Sequence, residues 1–295
     1  MEKILVAGAG TLGSQIAWQT AYHGFQVKVY DAFEQGLEQG RRFHDQFAKL
    51  FLETRGASQE AIEATRKRLD YTTDLEEAAQ DADLVSESIP EVMEIKQDFY
   101  TRLGKVAPPK TLFTTNTSSL LPSSFAHFTG RPERFLALHF SNGIWDNNIG
   151  EVMPHAGTDP AATEQVITFA KAIGMVPILI RKEQPGYIFN SLLIPFCGGA
   201  LKLLANGVAG PEEIDKTWMI GAQMKLGPCA FMDMIGMETI YHILQAQHRG
   251  SDQAHSSVAD YLKREFIDQG KLGIKTGQGF YTYPNPAYER PDFLS

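Results

Sequence analysis

Cysteine is scarce in this sequence. Only two of its 295 residues are cysteines, Cys197 and Cys229, and neither lies in a spacing that is typical of metal ligands. Both are flanked by apolar or small residues, so we expect two buried or half-buried thiols without a structural role. The histidines show no metal-ligand pattern either, and no metal site is expected.

Basic residues are too few for a nucleic-acid surface. The chain has 27 lysines and arginines against 35 acidic residues, for a formal net charge of −8, whereas a nucleic-acid partner would require a basic face. No such partner is expected. With 43% hydrophobic and 21% charged residues, the composition is that of a soluble globular protein long enough for two domains.

Long uninterrupted apolar runs are also missing. The most apolar stretch, residues 192–205, is interrupted by Pro195, Gly198, Gly199 and Lys202, so we expect no membrane span. No charged-then-apolar leader precedes the first apolar segment, so we expect no signal peptide. A cytoplasmic location is the default expectation.

Near its start the sequence contains a nucleotide-binding pattern. The apolar segment 3–7 leads into three spaced glycines and then into a helix-forming stretch. Gly8 permits a tight turn, Gly10 lets the backbone approach a pyrophosphate, and Gly13 lets the helix pack closely on the strand. The helix start favours anions because its N–H groups and its dipole point toward them. The predicted phosphate-binding residues are Gly8, Gly10, Thr11, Leu12 and Gly13.

An acidic residue follows the second predicted strand. Residues 26–30 form that strand, and Asp31 ends it, close to the position about 20 residues downstream where a carboxylate binds the ribose. A carboxylate there accepts hydrogen bonds from the ribose hydroxyls and repels a 2′-phosphate, which favours NAD over NADP. The alternative is that Asp31 is only a polar strand end.

Strand and helix signals alternate over the first part of the chain. Further strands are predicted at 82–89, 111–115, 135–140, 151–153 and 176–180. Helices are predicted at 33–68 (in two pieces, the second capped by Ser58), at a short segment opened by a capping box at Thr73, at 95–106 and at 160–173. This alternation predicts an α/β fold with a Rossmann-type, doubly wound, mostly parallel sheet. From Tyr187 onward the apolar spacing is helical, beginning with a helix over 187–206. We therefore predict an NAD-binding domain at 1–184 and an all-α domain at 185–295, with an extended surface tail from Tyr283.

Polar residues stand at the ends of several predicted strands. Ligands of a doubly wound sheet bind beyond the carboxyl ends of its strands. Asn116 and Ser118 follow one strand, His139 lies in the next, and Glu151 begins a third. Asn190 lies in the first turn of the helix that opens the second domain. We expect these groups to converge if the two domains meet over the nicotinamide.

These motifs, in this order, resemble the L-3-hydroxyacyl-CoA dehydrogenase family over nearly the whole chain. The intervals of 21 residues from Ser118 to His139 and 12 from His139 to Glu151 look the same as in that family. The motifs that carry the resemblance are Gly8-Ala9-Gly10-Thr11-Leu12-Gly13 with Asp31, Glu91 with Lys96, Asn116-Thr117-Ser118-Ser119-Leu120, Leu138-His139-Phe140 with Asn142, Glu151-Val152, Pro185-Gly186-Tyr187 with Asn190, Gly227-Pro228, Asp233 with Gly236, and the segment 275–281.

The resemblance implies a reversible NAD-linked oxidation of a 3-hydroxyacyl-CoA. It makes His139 the general base and Glu151 its partner, since imidazole, with an ordinary pKa of ~6.5, can take the hydroxyl proton while a carboxylate fixes its tautomer. It also implies a homodimer formed through the helical domain. The residues implied to contact substrate are Ser118, Asn142 and Asn190, and those implied on the nicotinamide and ribose side are Glu91, Lys96 and Asn116.

The chain departs from the family pattern after His139. Gly143 stands where a proline is usual, and Trp145 is expected to add a flat surface beside the substrate. The segment 55–68, where the family's CoA contacts lie, keeps basic residues without matching closely.

Two alternatives for the function therefore remain open. One is the same chemistry on a free hydroxy acid, such as a sugar acid or carnitine, and the other is a non-catalytic NAD-binding protein. Purely structural roles also remain open for four of the predicted site residues. Ser118 and Asn190 could cap helices, and Glu91 and Lys96 could form a solvent-exposed pair.

Overall fold

A computed structural model describes residues 1–247 and 253–295. The chain divides into two compact units, Met1–Ile188 and Phe189–Ser295. The predicted domain boundary after residue 184 lies just before this division, because the segment 186–188 still bonds to strands and loops of the first unit.

The first unit is built on one eight-stranded sheet. Its order is β3-β2-β1-β4-β5-β6-β7-β8, and all neighbouring strands are parallel except the antiparallel pair β6 and β7. The predicted doubly wound, mostly parallel sheet is confirmed. The strands are β1 Lys3–Ala7, β2 Gln26–Tyr30, β3 Leu69–Thr72, β4 Leu84–Glu87, β5 Leu112–Thr115, β6 Phe135–Phe140, β7 Ile149–Pro154 and β8 Val176–Leu179.

Helices cover both faces of this sheet. They are α1 Thr11–Tyr22, α2 Glu34–Thr54, α3 Gln59–Lys67, α4 Leu75–Ala79, α5 Met93–Val106 and α6 Pro160–Ala172. Ser58 caps α3 as predicted, since its side chain accepts a hydrogen bond from Ala61 N. The capping box predicted at Thr73 is wrong by one residue, because Asp74 accepts from the first N–H groups of α4.

Neighbouring residues of the central strands face opposite cores. Ile4 and Val6 belong to one buried cluster, and Leu5 and Ala7 belong to another. A strand that is buried on both faces has an almost continuous apolar sequence, which is why these strands could be predicted. β3 was missed because its residues are half-buried or exposed at the edge of the sheet.

The second unit is helical, as predicted, and its described residues outside helices form only isolated bridges and turns. Its helices are α7 Tyr187–Ala205, which begins in the first unit, α8 Pro211–Gly221, α9 Pro228–Ile235, α10 Met237–Gln247 and α11 Gln253–Leu262, followed by a π-helical turn at Lys263–Ile267. Cys197 and Cys229 are buried free thiols, as expected.

Buried carboxylates organise the second unit. Asp215 accepts from the N–H groups of Cys229 and Ala230 at the start of α9, and Asp233 accepts from those of Phe280 and Tyr281. The C-terminal segment is not merely a surface tail as predicted, because Phe293 is buried in the core of this unit.

Among the described residues, α7 alone has the length and apolar composition that crossing a membrane requires, although only 22% of the relevant window is buried. Pro195 interrupts the apolar run in the sequence, but it lies inside this helix and does not end it, in agreement with the helix predicted over 187–206. The absence of a membrane span therefore remains a prediction for this segment.

Candidate active site

The glycine turn at residues 8–13 joins β1 to α1. Gly8 has a φ of +100°, and a Cβ on it would lie 2.5 Å from Ser88 O. A Cβ on Gly13 would lie 1.9 Å from Gly8 O, so only glycine allows α1 to approach the turn this closely. Apart from Gly10 itself and its chain neighbours, no atom of the described residues lies within 4 Å of the Cβ position of Gly10. The space over Gly10 is therefore open to a ligand's phosphates.

The start of α1 and the end of β2 fit the other parts of a dinucleotide. Gly10 precedes α1, and no side chain caps this helix start, which leaves its first N–H groups for an anion. The carboxylate of Asp31 accepts from Ala9 N at 3.0 Å and from Phe33 N at 3.1 Å. Asp31 is thus more than a polar strand end, because its carboxylate is fixed against the glycine turn.

His139 and Glu151 form a buried pair across two strands. They are directly opposite each other in the antiparallel pairing of β6 and β7, and opposite residues of such a pair share one face of the sheet. Nδ1 of His139 lies 3.0 Å from Oε2 of Glu151, and the two residues are 4% and 2% exposed. The hairpin register thus explains the sequence interval between them.

Ser118 completes a line of three polar groups. Its Oγ lies 3.1 Å from Nε2 of His139. With the Nδ1 proton donated to Glu151, Nε2 can accept a proton, a tautomer assigned from its partners. No α-helix begins at Ser118, so the alternative role as a helix cap is wrong. The arrangement can remove a proton from a hydroxyl placed beside Nε2 and Oγ.

Tyr187 was not predicted as a site residue. Its ring stacks on that of His139 with 4.2 Å between centroids and 10° between planes. Its hydroxyl donates to Thr117 O at 2.7 Å, and burial raises the pKa of Tyr187 so that it stays a neutral donor. The sequence offered only an indirect signal, an aromatic residue directly after a glycine in the Pro185-Gly186-Tyr187 motif.

Glu91 and Asn116 organise the loop that carries Ser118. Oε1 of Glu91 accepts from the N–H groups of Ser118 and Ser119 at 3.0 and 2.9 Å and from the hydroxyl of Thr117. Burial alone would raise the pKa of Glu91, but the hydrogen bonds from Thr117 and Ser119 outweigh it and the pKa is lowered. Oδ1 of Asn116 accepts from the backbone N–H of residue 140 at 2.7 Å. The end of β5 is thereby fixed to the end of β6.

Lys96 lies behind this loop. Its ammonium is 2.6 Å from Oε1 of Glu87 and 3.4 Å from Oε2 of Glu91. The side chain of Lys96 is 1% exposed, so the solvent-exposed pair considered for Lys96 and Glu91 is wrong. Direct contact of Lys96 with the cofactor remains a prediction, because its observed partners are two carboxylates.

The loop after β6 is held against other elements of the first unit. Gln15 on α1 accepts from Gly143 N at 2.7 Å. The indole of Trp145 packs edge-on against Phe47 and Phe51, with centroids 4.9 and 5.4 Å apart. These contacts hold the indole against α2, while Trp145 stays half-buried, and the flat surface expected beside the substrate remains a prediction.

The remaining predicted residues are less constrained. Asn142 is exposed in the same loop, and its carbonyl accepts from the side chain of Asn147 at 2.7 Å. Asn190 lies in the first turn of α7 and belongs to the second unit, so its convergence with His139 remains a prediction. In the described part of the chain, no three His, Cys, Asp or Glu side chains form a group that could hold a metal ion.

Two family models together match almost the whole sequence. The 3-hydroxyacyl-CoA dehydrogenase NAD-binding domain matches residues 3–184, and the C-terminal domain of the same enzymes matches residues 186–283. The chain belongs to the 3-hydroxyacyl-CoA dehydrogenase family. It is an NAD-dependent oxidoreductase, and the open glycine turn, the uncapped helix start and Asp31 are the parts of this chain that fit NAD.

Individual relatives extend over nearly the full length. A solved structure described as a diketoreductase with dual catalysis of dicarbonyl compounds is 46% identical, covers 96% of this chain and 99% of its own, and has a TM-score of 0.91. A protein of Bacillus subtilis named "Probable 3-hydroxybutyryl-CoA dehydrogenase" is 33% identical and covers 96% of this chain and 98% of its own. A protein of the same name from Deinococcus radiodurans is 33% identical over 95% of this chain and 100% of its own.

Proposed function

We propose that this member of the family catalyses the reversible NAD-linked oxidation of a 3-hydroxyacyl-CoA to the 3-oxoacyl-CoA. The observation that carries the proposal is the array in which Ser118 and Glu151 bond to opposite nitrogens of His139, at 3.1 and 3.0 Å. Such an array suits the removal of a hydroxyl proton from a secondary alcohol.

In this proposal each group of the array has one task. Nε2 of His139 takes the hydroxyl proton during oxidation and returns it during reduction. Glu151 keeps the other proton on Nδ1 and stabilises the imidazolium, while Ser118 Oγ donates to the reacting oxygen. Bound NAD supplies the hydride acceptor. Asn142 and Asn190 are proposed to hold the polar part of the substrate.

A second candidate is the same reaction on a compound without CoA. The diketoreductase relative, at 46% identity, favours it. So does the segment 55–68, where the resemblance implies CoA contacts, because its arginines already have partners. Arg55 pairs with Asp146, Arg66 pairs with Asp45, and Arg68 donates to a backbone carbonyl.

One substrate panel separates these candidates. NADH oxidation is measured with acetoacetyl-CoA, with free acetoacetate, with a small 1,3-dicarbonyl compound and without a keto substrate. Higher kcat/KM on the thioester supports the first candidate, and activity confined to the free compounds replaces it by the second. NADH binding without turnover on any of them would make the chain a non-catalytic NAD-binding protein.

The base assignment is tested with His139→Gln. Loss of the imidazole nitrogen that accepts the proton is expected to lower kcat about 10²- to 10⁴-fold. NADH affinity should stay within about twofold because the glycine turn is unchanged. A fully active variant would remove His139 from this role.

We also propose a cytoplasmic homodimer formed through the second unit. Several large apolar side chains are exposed on that unit, among them Leu192 at 69%, Val208 at 65% and Ile220 at 59%, and exposed apolar side chains of this size are candidates for burial in a protein interface. Sedimentation equilibrium measures the mass directly. A monomer at micromolar concentration, or recovery of the protein in the membrane fraction, would contradict this proposal.

A further inference from the structure

The ring of Tyr187 covers one face of the imidazole of His139. The two rings are nearly parallel, 10° apart, with centroids separated by 4.2 Å. Tyr187 is fully buried, and its hydroxyl donates to Thr117 O, the residue before Ser118. The tyrosine is therefore fixed both at its ring face and at its hydroxyl.

Hydrogen bonds hold the backbone on both sides of Tyr187 in an unusual conformation. Gly186 and Tyr187 both have positive φ values, +77° and +54°, and the second is uncommon for a residue with a bulky side chain. Gly186 N donates to Ser118 O at 3.2 Å, and Ile188 N donates to Oε1 of Glu151 at 2.9 Å. Three consecutive residues thus contact the serine, the base and the carboxylate, and these contacts hold the unusual conformation.

A stacked ring has two effects on an imidazole that must gain and lose a proton. The hydrogen bonds to Glu151 and Ser118 are made at opposite nitrogens of the imidazole and do not by themselves prevent the ring from rotating about the line between those nitrogens. A ring stacked on its face opposes that rotation. In addition, the face of an aromatic ring is the negative part of its quadrupole and attracts a cation. Tyr187 should therefore favour the imidazolium over the neutral imidazole.

We infer that Tyr187 is a positioning residue for His139, which keeps the imidazole plane aligned with Ser118 and Glu151 and stabilises its protonated form. The inference rests on the proposed role of His139 as the base. The hydroxyl of Tyr187 has a separate task, since it ties the loop that carries Ser118 to the same segment.

Carboxylates act on this pair, and the ammonium of Lys96 lies 2.6 Å from Glu87 and 3.4 Å from Glu91, two of those carboxylates. Glu151 contacts His139, and Glu91, Glu151, Glu87 and Glu183 act electrostatically on Tyr187 in addition to the larger effect of burial. All of these causes raise the pKa of Tyr187. The phenol therefore stays neutral through the working range, and its own ionisation cannot produce the pH effect expected below.

Two substitutions separate the ring face from the hydroxyl. Tyr187→Leu keeps an apolar side chain and removes the aromatic face. We expect kcat to fall about 10- to 100-fold, NADH affinity to stay within about twofold, and the acid limb of kcat/KM for alcohol oxidation to move about half to one pH unit lower. Tyr187→Phe keeps the face and should retain kcat within about threefold, with the acid limb unmoved.

Tyr22→Leu provides a matched control. Tyr22 is half-buried and packs edge-on against Phe51 with 4.9 Å between centroids, so the same substitution removes an aromatic contact on α1 and leaves the acid limb unmoved. If Tyr187→Leu does not fold, Tyr187→Met, with its adaptable unbranched side chain, is measured in its place and should show the same shift.

The inference is overturned if the acid limb of the kcat/KM profile does not move in Tyr187→Leu or Tyr187→Met. This holds whether kcat is retained or lost, because a role in packing alone predicts no shift of that limb. His139→Gln in the same assay distinguishes the two levels of the argument. If His139→Gln stays active, the proposed role of His139 as the base fails, and the inference about Tyr187 fails with it. If it is inactive while the limb in the Tyr187 variants is unmoved, only the inference about Tyr187 fails.

Discussion

Replacing Glu151 with glutamine should give His139 the wrong tautomer. Oε1 of Glu151 accepts from Ile188 N at 2.9 Å, and Oε2 faces Nδ1 of His139 at 3.0 Å. In a glutamine at this position the carbonyl oxygen must face the N–H of Ile188, because an NH2 group there would oppose a second donor. The NH2 group is then directed at Nδ1 of His139 and forces the imidazole proton onto Nε2.

An imidazole that carries its proton on Nε2 cannot accept another at that atom. The corresponding carboxylate-to-amide change in a Ser-His-Asp protease lowers kcat about 10⁴-fold, and general-base catalysis as a whole contributes about 10²- to 10⁴-fold. We therefore expect Glu151→Gln to lower kcat about 10²- to 10⁴-fold, which is about 3–5 kcal/mol of transition-state stabilisation. NADH affinity should be unchanged because the glycine turn stays intact.

The assay follows NADH absorbance in both directions with the best substrate of the panel, together with a fluorescence titration of NADH and a melting curve. Glu164→Gln is the matched control, since Glu164 is exposed on α6 and loses the same charge. Near-native kcat in Glu151→Gln would refute the tautomer argument, and so would a loss of activity explained entirely by a lower melting temperature or weaker NADH binding.

Two further predictions concern the cofactor and the pH dependence of stability. Asp31→Ala should weaken NADH binding and relax the discrimination against NADPH, because the carboxylate fixed beside Ala9 N is lost. The affinities for NADH and NADPH are measured in parallel titrations. An unchanged preference for NADH over NADPH would show that Asp31 does not contact the ribose. Burial lowers the pKa of His44 from 6.5 to about 4. As the pH falls, His44 is therefore protonated at a higher pH in the unfolded chain than in the folded protein. The free energy of unfolding should therefore fall as the pH drops from about 6.5 toward 4, by up to about 3 kcal/mol from this residue. Urea unfolding of wild type and His44→Gln at several pH values checks this, and equal slopes in both would contradict it.

The parts of the fold that the sequence predicted are those that local patterns determine. β1, β2 and β6 were predicted with their observed bounds. β1 and β6 are largely apolar runs that end at glycine or a polar residue, whereas β2 alternates polar residues with Val27 and Val29. β3 was missed because an edge strand of mixed residues has no such pattern. The cap of α4 was misplaced because Thr73 and Asp74 both suit an N-cap and only the backbone conformation selects between them.

Side chains that face each other across distant segments were harder to predict. Trp145 is expected beside the substrate from its position after His139, and its packing against Phe47 and Phe51 on α2 was not predicted. No ion pair was predicted for Glu87, the last residue of β4, although its carboxylate pairs with buried Lys96. In each case the partner belongs to another element of the fold, and the local sequence around the residue does not predict that partner.

The contrast between Glu151 and Tyr187 shows what makes a contact predictable. Glu151 and His139 belong to neighbouring strands of one hairpin, and the pairing register alone places them opposite each other, so a sequence interval carries the information. Tyr187 reaches His139 only because Gly186 and Tyr187 both take left-handed conformations at the start of α7. That turn depends on hydrogen bonds to the Ser118 loop and to Glu151, which exist only once the sheet has formed. The base and its carboxylate are thus determined by local register, whereas the group that stacks on the base is determined by tertiary structure.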